Sequence, residues 1–297
     1  MTDYCAKYGY SPDKEAVDRA LTLVASNLEN VVSRQVLLDC FSMMDLTSLR
    51  TDDTPASIAK LVEKVNDFQS EYPDFPLPAS ICVYPNFAET VKAHKKCGDV
   101  HITVVAGCFP SSQSFTEVKV RECELAVEKG ADEVDIVLSL SSFLEGNYES
   151  ASEEIRKIRA CIDAQAAKQG RKVHLKVILE TGLLVSLESV AQASFLAMEA
   201  GADFIKTSTG KVSVNATPAV SYVMCECIRA YHKATGKKIG FKPAGGISTA
   251  LDAVSYYTIV SMILGKEWLN KDLFRFGVSR MANNIISEVL QKTVTYF

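Results

Sequence analysis

Apolar positions along the chain fall into two periods. The first run has helical spacing. Ala16, Val17, Ala20, Leu21, Val24 and Leu28 share one face, and Ser11-Pro12 reads as the cap and first-turn proline. Residues 1–38 therefore predict an N-terminal helical extension. After it, short apolar runs alternate with longer stretches of helical period. The short runs are 41–46, 79–84, 100–106, 133–138, 172–180, 202–206, 239–242 and 273–278. Helix starts are marked by Thr54-Pro55, Asn86-x-x-Glu89, Ser114-x-x-Glu117, Ser150-x-x-Glu153 and Thr217-Pro218. Helix stops are marked by Gly98, Gly130, Gly170 and Gly201, and an amphipathic helix to about Leu290 closes the chain.

Eight strand-helix units with no break in composition predict one (β/α)8 TIM barrel over 39–297. A doubly wound open sheet is the alternative. The 297 residues suit one barrel. A hydrophobic content of 47% with 23% charged residues is that of a soluble globular protein. The net charge of −4 and the pI near 5.7 point away from a general nucleic-acid or membrane surface, though a local positive site still binds phosphate. The chain shows no run of about 18 apolar residues, and Met1-Thr-Asp-Tyr-Cys-Ala-Lys7 has no apolar core, so a cytoplasmic protein is expected. Nine unclustered cysteines read as reduced thiols. Self-association through outer helices is compatible with this pattern.

The chemistry concentrates in Gly201-Ala-Asp-Phe-Ile-Lys-Thr-Ser-Thr-Gly-Lys211. Lys206 ends a buried strand, where an ammonium must be paired, reach solvent or lose its proton. The last outcome gives an amine nucleophile of the Schiff-base type; the plainer reading is a lysine paired with a strand-end carboxylate. Ile239-Gly-Phe-Lys-Pro-Ala-Gly-Gly-Ile247 has the same layout 36 positions on, about one strand-helix-strand repeat. Lys206 and Lys242 should therefore emerge side by side. Their mutual repulsion and burial both push one pKa down.

In a barrel the chemistry lies at the C-terminal strand ends. Asp45, Cys82, Asp135, Glu180, Lys206 and Lys242 fall there or just before. Lys242 reads as a pKa-lowering neighbour, a proton carrier or a phosphate contact. Asp135 interrupts an apolar strand, as a proton relay, an ion-pair partner or both. Asp45 orients that network or binds a substrate hydroxyl. Cys82 reads as a core residue and Glu180 as a structural one. Gly210, Lys211, Gly245, Gly246 and Gly277 follow the sixth, seventh and eighth strands, where barrels often hold phosphate, and Ser279 adds a hydroxyl. His94, His101, His174 and His232 lack metal-ligand spacing, so no metal is expected. No Rossmann or P-loop glycine pattern is present.

These motifs resemble the deoxyribose-phosphate aldolase family. The resemblance rests on Met44-Asp-Leu-Thr-Ser-Leu49, Ile81-Cys-Val-Tyr-Pro85, Gly130-Ala-Asp-Glu-Val-Asp-Ile-Val137, Leu175-Lys-Val-Ile-Leu-Glu-Thr-Gly182, both lysine motifs, Val214-Asn-Ala-Thr-Pro218 and Arg275-Phe-Gly277. It implies a class I aldolase that uses no metal or other cofactor. Such an enzyme reversibly cleaves 2-deoxy-D-ribose 5-phosphate, a phosphosugar, to D-glyceraldehyde 3-phosphate and acetaldehyde. It also implies Lys206 as the Schiff-base residue, Lys242 and Asp135 in pKa lowering and proton transfer, and Asp45 in support. Gly210, Lys211, Gly245, Gly246, Gly277 and Ser279 would hold the phosphate. Many members carry an arginine where this chain has Ser248, and two serines where it has Ser279-Arg280. The expectation is that Arg280 supplies the missing guanidinium. Another Schiff-base barrel aldolase of different substrate, or a non-catalytic phosphosugar-binding barrel, are the alternatives.

Overall fold

The computed structural model describes residues 2–297. The chain begins with α1 (Tyr4–Tyr8), α2 (Lys14–Val31) and α3 (Arg34–Ser42). It then runs β1 (Met44–Thr47), α4 (Pro55–Glu71), β2 (Ser80–Val83), α5 (Ala88–His94), β3 (His101–Val105) and α6 (Thr116–Glu128). Next come β4 (Glu133–Val137), α7 (Leu140–Leu144), α8 (Tyr148–Lys168), β5 (His174–Ile178), α9 (Leu187–Glu199) and β6 (Phe204–Lys206). The last part is α10 (Pro218–Thr235), β7 (Gly240–Lys242), α11 (Ala250–Leu264), β8 (Phe276–Val278) and α12 (Met281–Leu290).

All eight strands are parallel, in the order β7-β6-β5-β4-β3-β2-β1-β8. The bridges Phe241–Phe274 and Ala244–Gly277 join the two ends of that order, so the sheet closes on itself. This is the expected (β/α)8 barrel. Closure leaves no sheet edge and forces every inward side chain into one shared interior.

The expected strand positions hold to within a few residues, and the differences have local causes. The first strand starts at Met44, because Phe41 and Ser42 complete α3, whose cap is Ser33. Phe41 stacks on Phe68 at 5.1 Å, so its burial comes from helix packing. Four expected caps move. Asp13, rather than Ser11, accepts from Glu15 N and opens α2. Asn147, rather than Ser150, opens α8 by accepting from Ser150 N. The starts of α5 and α6 carry no side-chain cap at all; a short 3-10 turn at Pro85–Phe87 leads into α5. α5 ends at His94, before Gly98. Thr54 and Thr217 cap α4 and α10 as expected.

Gly240 shows how tightly β6 and β7 pack. It lies opposite Phe204 in the ladder, and a Cβ there would sit 2.3 Å from the Phe204 ring. Gly240→Ala should therefore destabilise the protein by about 1–3 kcal/mol, because the fully packed ring cannot retreat. Urea unfolding measures this, and an unchanged midpoint would show that the barrel yields more than its packing implies.

Candidate active site

Strand periodicity builds the centre of this site. Inward positions on β4 recur every second residue, so Glu133 and Asp135 both face the axis. On β5 the inward residue beside them is Lys176, in register with Asp135. On β6 and β7, Lys206 and Lys242 are direct ladder partners, side by side as the spacing required. Asp45 comes from β1, and Arg275 from the residue before β8.

Together these seven side chains form one ionic network where most barrels place branched apolar residues. Lys206 Nζ and Lys242 Nζ both donate to Asp135 Oδ2, each at 2.8 Å. Lys176 Nζ donates to the other oxygen, Oδ1, at 3.0 Å. Lys242 also pairs with Asp45, and Lys176 with Glu133. Arg275 forks onto Glu133 at 2.7 and 3.1 Å and bonds Asp45 with the same Nη1. Thr103 Oγ1 donates to Glu133 at 2.7 Å, and His101 Nδ1 lies 2.7 Å from the same carboxylate.

One member of the network differs from the rest. Lys206 is 4% exposed and lines a cavity of about 1300 Å³ at the C-terminal strand ends. The other six are closed off from that cavity. The electrostatics separate the lysines in the same way. Burial pushes the Lys206 ammonium below the ordinary lysine value; Asp135 opposes this, and the Lys242 charge adds to it. Burial would also lower Lys242, but Asp135 and Asp45 outweigh it and hold this ammonium above the ordinary value. Lys176 is likewise raised, by Asp135 and Glu133 against burial. Burial would raise Asp135, yet Lys176, Lys206 and Lys242 hold it far below the carboxylate range. Asp45 is held at about 2 by Lys242, Arg275 and Lys176, again against burial. The cavity lysine is thus the one whose proton is loosened, and its neighbours keep theirs. Cys82 is fully buried and does not line the cavity, and burial raises its thiol above the ordinary value.

The glycine loops surround the same cavity. Gly210, Lys211, Gly245, Gly246, Gly277 and Ser279 all line it, together with Ser248 and Arg280. Gly245 and Gly246 have φ of 78° and 75°, a turn that other residues resist, and a Cβ on Gly245 would strike Asn215. α12 begins just after Ser279 and points its N-terminus at this rim. Two of the expected groups are already engaged. Gly277 N donates to the Pro243 carbonyl at 3.0 Å, so this N–H closes the barrel. Lys211 Nζ donates to the Leu49 carbonyl at 2.7 Å, across the mouth of the cavity. Glu180, with φ of 50°, accepts from Thr209 N at 3.1 Å and ties the loop after β5 to the loop after β6. Thr207 does the same between β6 and β7, accepting from Ala244 N at 2.9 Å.

Lys176, Glu133 and Arg275 went without a role in the sequence reading, although each stood inside a quoted motif. For two of them the signal is the strand period: two residues back from Asp135 is Glu133, and the β5 ladder partner of Asp135 is Lys176. His101 and His174, on separate strands, converge on Glu133, the second at 3.8 Å. Among the described residues, no group of three His, Cys, Asp or Glu side chains is placed to hold a metal ion.

Residues 40–262 match the family described as DeoC/LacD family aldolase. The chain belongs to the DeoC/LacD aldolase family. The deoxyribose-phosphate aldolase of Homo sapiens is 41% identical over 269 residues, which cover 85% of this chain and 80% of that one. That of Mus musculus is 40% identical over 269 residues with the same coverage. In shape, this family member resembles the tetrameric deoxyribose phosphate aldolase of Aeropyrum pernix. The TM-score is 0.66 at 24% identity, over 93% of this chain and 98% of that one.

The network also sets acid stability. Asp45 falls from 3.8 to about 2 on folding, so the unfolded chain binds the extra proton. The stabilisation is complete above about pH 4 and is lost as pH falls toward 2, at about 2 kcal/mol for this one group. Asp45→Asn should lower stability at neutral pH by roughly 3–5 kcal/mol, by stranding buried cations. It should also flatten the acid loss by one proton. Urea unfolding from pH 5 downward checks both, and an equally steep loss in the variant would contradict the ion pairing.

Proposed function

We propose that this chain is a class I aldolase that reversibly cleaves 2-deoxy-D-ribose 5-phosphate to D-glyceraldehyde 3-phosphate and acetaldehyde, with Lys206 as the Schiff-base residue. The observation that carries the residue assignment is the separation of the lysines. Lys206 alone of the network reaches the cavity, and it is the lysine whose proton burial and Lys242 loosen.

The chemistry then runs from the neutral amine. Lys206 adds to the substrate aldehyde at C1, and the carbinolamine loses water to give an iminium. The C3 hydroxyl passes its proton to water in the cavity and the C2–C3 bond breaks. Its electron pair moves toward the iminium nitrogen, and D-glyceraldehyde 3-phosphate leaves. The resulting enamine is protonated at C2, and hydrolysis frees acetaldehyde and the lysine. Lys242 keeps its ammonium proton and, through Asp135, is the proton reserve behind Lys206, while water in the cavity protonates the departing oxygen. Asp135, ionised and bonded to both lysines, holds their geometry and links proton exchange between them through water. Asp45 supports this from beneath through Lys242.

The phosphate is read at the rim. Gly245, Gly246, Gly210, Ser279 and the start of α12 supply donors there. Lys211 supplies charge once it leaves the Leu49 carbonyl. Two guanidinium groups line the cavity; Arg50 is paired with Asp52, and Arg280 takes the place that Ser248 leaves without one. Gly277 serves by closing the barrel beneath the loop. We read residues 1–38 as an extension outside the catalytic unit of 39–297. α1 in that extension docks on α9 through Lys7 and Tyr8, both bonded to Glu199 at 2.6 and 2.7 Å. The nine cysteines are free, and among the described residues no helix is long and apolar enough to cross a membrane. Deoxyribonucleoside catabolism in the cytoplasm is the setting that suits this substrate.

Borohydride reduction with acetaldehyde, followed by peptide mass spectrometry, should place a two-carbon adduct on Lys206. Lys206→Met should show no adduct and lose at least about three orders of magnitude in turnover, since it removes the covalent route. A folded protein that turns over deoxyribose 5-phosphate without this adduct would contradict the assignment. One that binds phosphosugar without turnover would be a binding protein. Arg280→Ala should raise KM for deoxyribose 5-phosphate by about tenfold while leaving free deoxyribose unchanged, as expected for one charge-assisted contact. An unchanged preference for the phosphorylated sugar would remove Arg280 from the phosphate site.

A further inference from the structure

The layer beneath the reacting lysine has no role in the mechanism above. Glu133, Lys176 and Arg275 lie fully buried in the barrel, away from the cavity. Yet Lys176 bonds the same carboxylate as Lys206, through the opposite oxygen of Asp135. We propose that Lys176 is a positioning residue for the reacting amine, and that with Glu133 and Arg275 it fixes by charge balance how many protons the lysines above can hold. This rests on Lys206 being the Schiff-base residue.

The geometry supplies the count. Three carboxylates, Asp45, Glu133 and Asp135, face four basic groups, Lys176, Lys206, Lys242 and Arg275. All are shut off from bulk water except the tip of Lys206. A buried cluster of this kind is stable when its charges cancel, and an unmatched charge there is costly. Three cations balance three anions, so one basic group must be neutral. Arg275 cannot be, because a guanidinium keeps its proton. Lys176 touches three carboxylates and Lys242 two, whereas Lys206 touches one and faces the cavity. Lys206 is left as the neutral member.

Other groups around Lys206 do not alter the balance. Cys82 on β2 is fully buried, and burial raises its thiol above the ordinary value. Glu180 beyond β5 is engaged by Thr209, and Lys211 by Leu49. His101 on β3 and His174 on β5 approach Glu133 from the far end of the barrel and remain partly open to solvent. Without the lower layer, Asp45 and Asp135 would face Lys206 and Lys242 alone, and both amines would hold their protons. Lys176 removes that option by claiming Asp135 Oδ1, while Arg275 claims Asp45.

The test reads the pH at which half-maximal borohydride-trapped acetaldehyde adduct forms on Lys206, in the wild type and four variants. Lys176→Met leaves the cluster one cation short, so Lys206 should retain its proton. The midpoint should move up by about one to two pH units, at least a tenfold loss of reactive amine at a given pH below it. Glu133→Gln removes an anion and should move the midpoint down. The double variant Lys176→Met with Glu133→Gln restores the count and should return it close to the wild-type value. Lys176→Arg keeps the charge and should leave it in place.

If Lys176→Met does not fold, Glu133→Gln and the double variant still decide the matter: a downward shift followed by its reversal supports charge balance. Folded variants that lose adduct at every pH, with the midpoint unmoved, would overturn the inference and leave these residues a packing role only. A wild type that forms no adduct at any pH would instead overturn the aldolase assignment.

Discussion

Asp135 accepts hydrogen bonds from three lysines, and this one carboxylate ties the chemistry of the site to the stability of the barrel. Moving an ion from water into a protein interior costs several kcal/mol even after relaxation, so seven charges in one barrel are tolerated only as mutual partners. The closed sheet makes that partnership compulsory. It brings Lys242, on the strand at one end of the strand order, into contact with Asp45, on the strand next to the other end, and neither can swing to solvent. The fold therefore does more than display a lysine. It confines a fixed set of charges and leaves one amine as the place where an imbalance is relieved.

The same balance favours the reaction as well as the nucleophile. A neutral amine and a neutral enamine both leave the cluster with equal numbers of positive and negative charges. A protonated amine and an iminium both leave it one positive charge over. Attack begins from a balanced state, and C–C cleavage turns an unbalanced iminium into a balanced enamine. With Lys206 as the Schiff-base residue, as proposed, the network favours the electron flow that breaks the bond, and its other six members act without lining the cavity. This is stabilisation by prearranged charges in a dry site, where they act far more strongly than in water.

The barrel was legible in the sequence because strand and helix periods alternate cleanly, and the pairing of Lys206 with Lys242 followed from the length of one repeat. Caps were less legible: Ser114 and Ser150 carry the right pattern, but the chain turns into the helix elsewhere. Asp45, Asp135, Lys206 and Lys242 do come together, since they sit at or near strand ends where sequence position maps onto one end of the barrel, but of these only Lys206 lines the cavity. The lower layer was missed for a physical reason. Lys176 lies mid-strand, Glu133 opens its strand and Arg275 lies just before one. Their meaning depends on which neighbours the closed sheet brings inward, and no single strand carries that. The engagement of Gly277 with Pro243 belongs to closure in the same way.

The central claim is that Lys206 is the neutral amine while Lys242 and Lys176 remain charged. NMR titration of isotope-labelled lysine, following the Cε resonances and assigning them with Lys→Arg replacements at positions 206, 242 and 176, tests it without substrate. The account predicts that Lys206 titrates below the ordinary lysine range, whereas Lys242 and Lys176 stay protonated to the alkaline limit of the folded protein. Lys206 titrating with the surface lysines, or Lys242 losing its proton first, would contradict it.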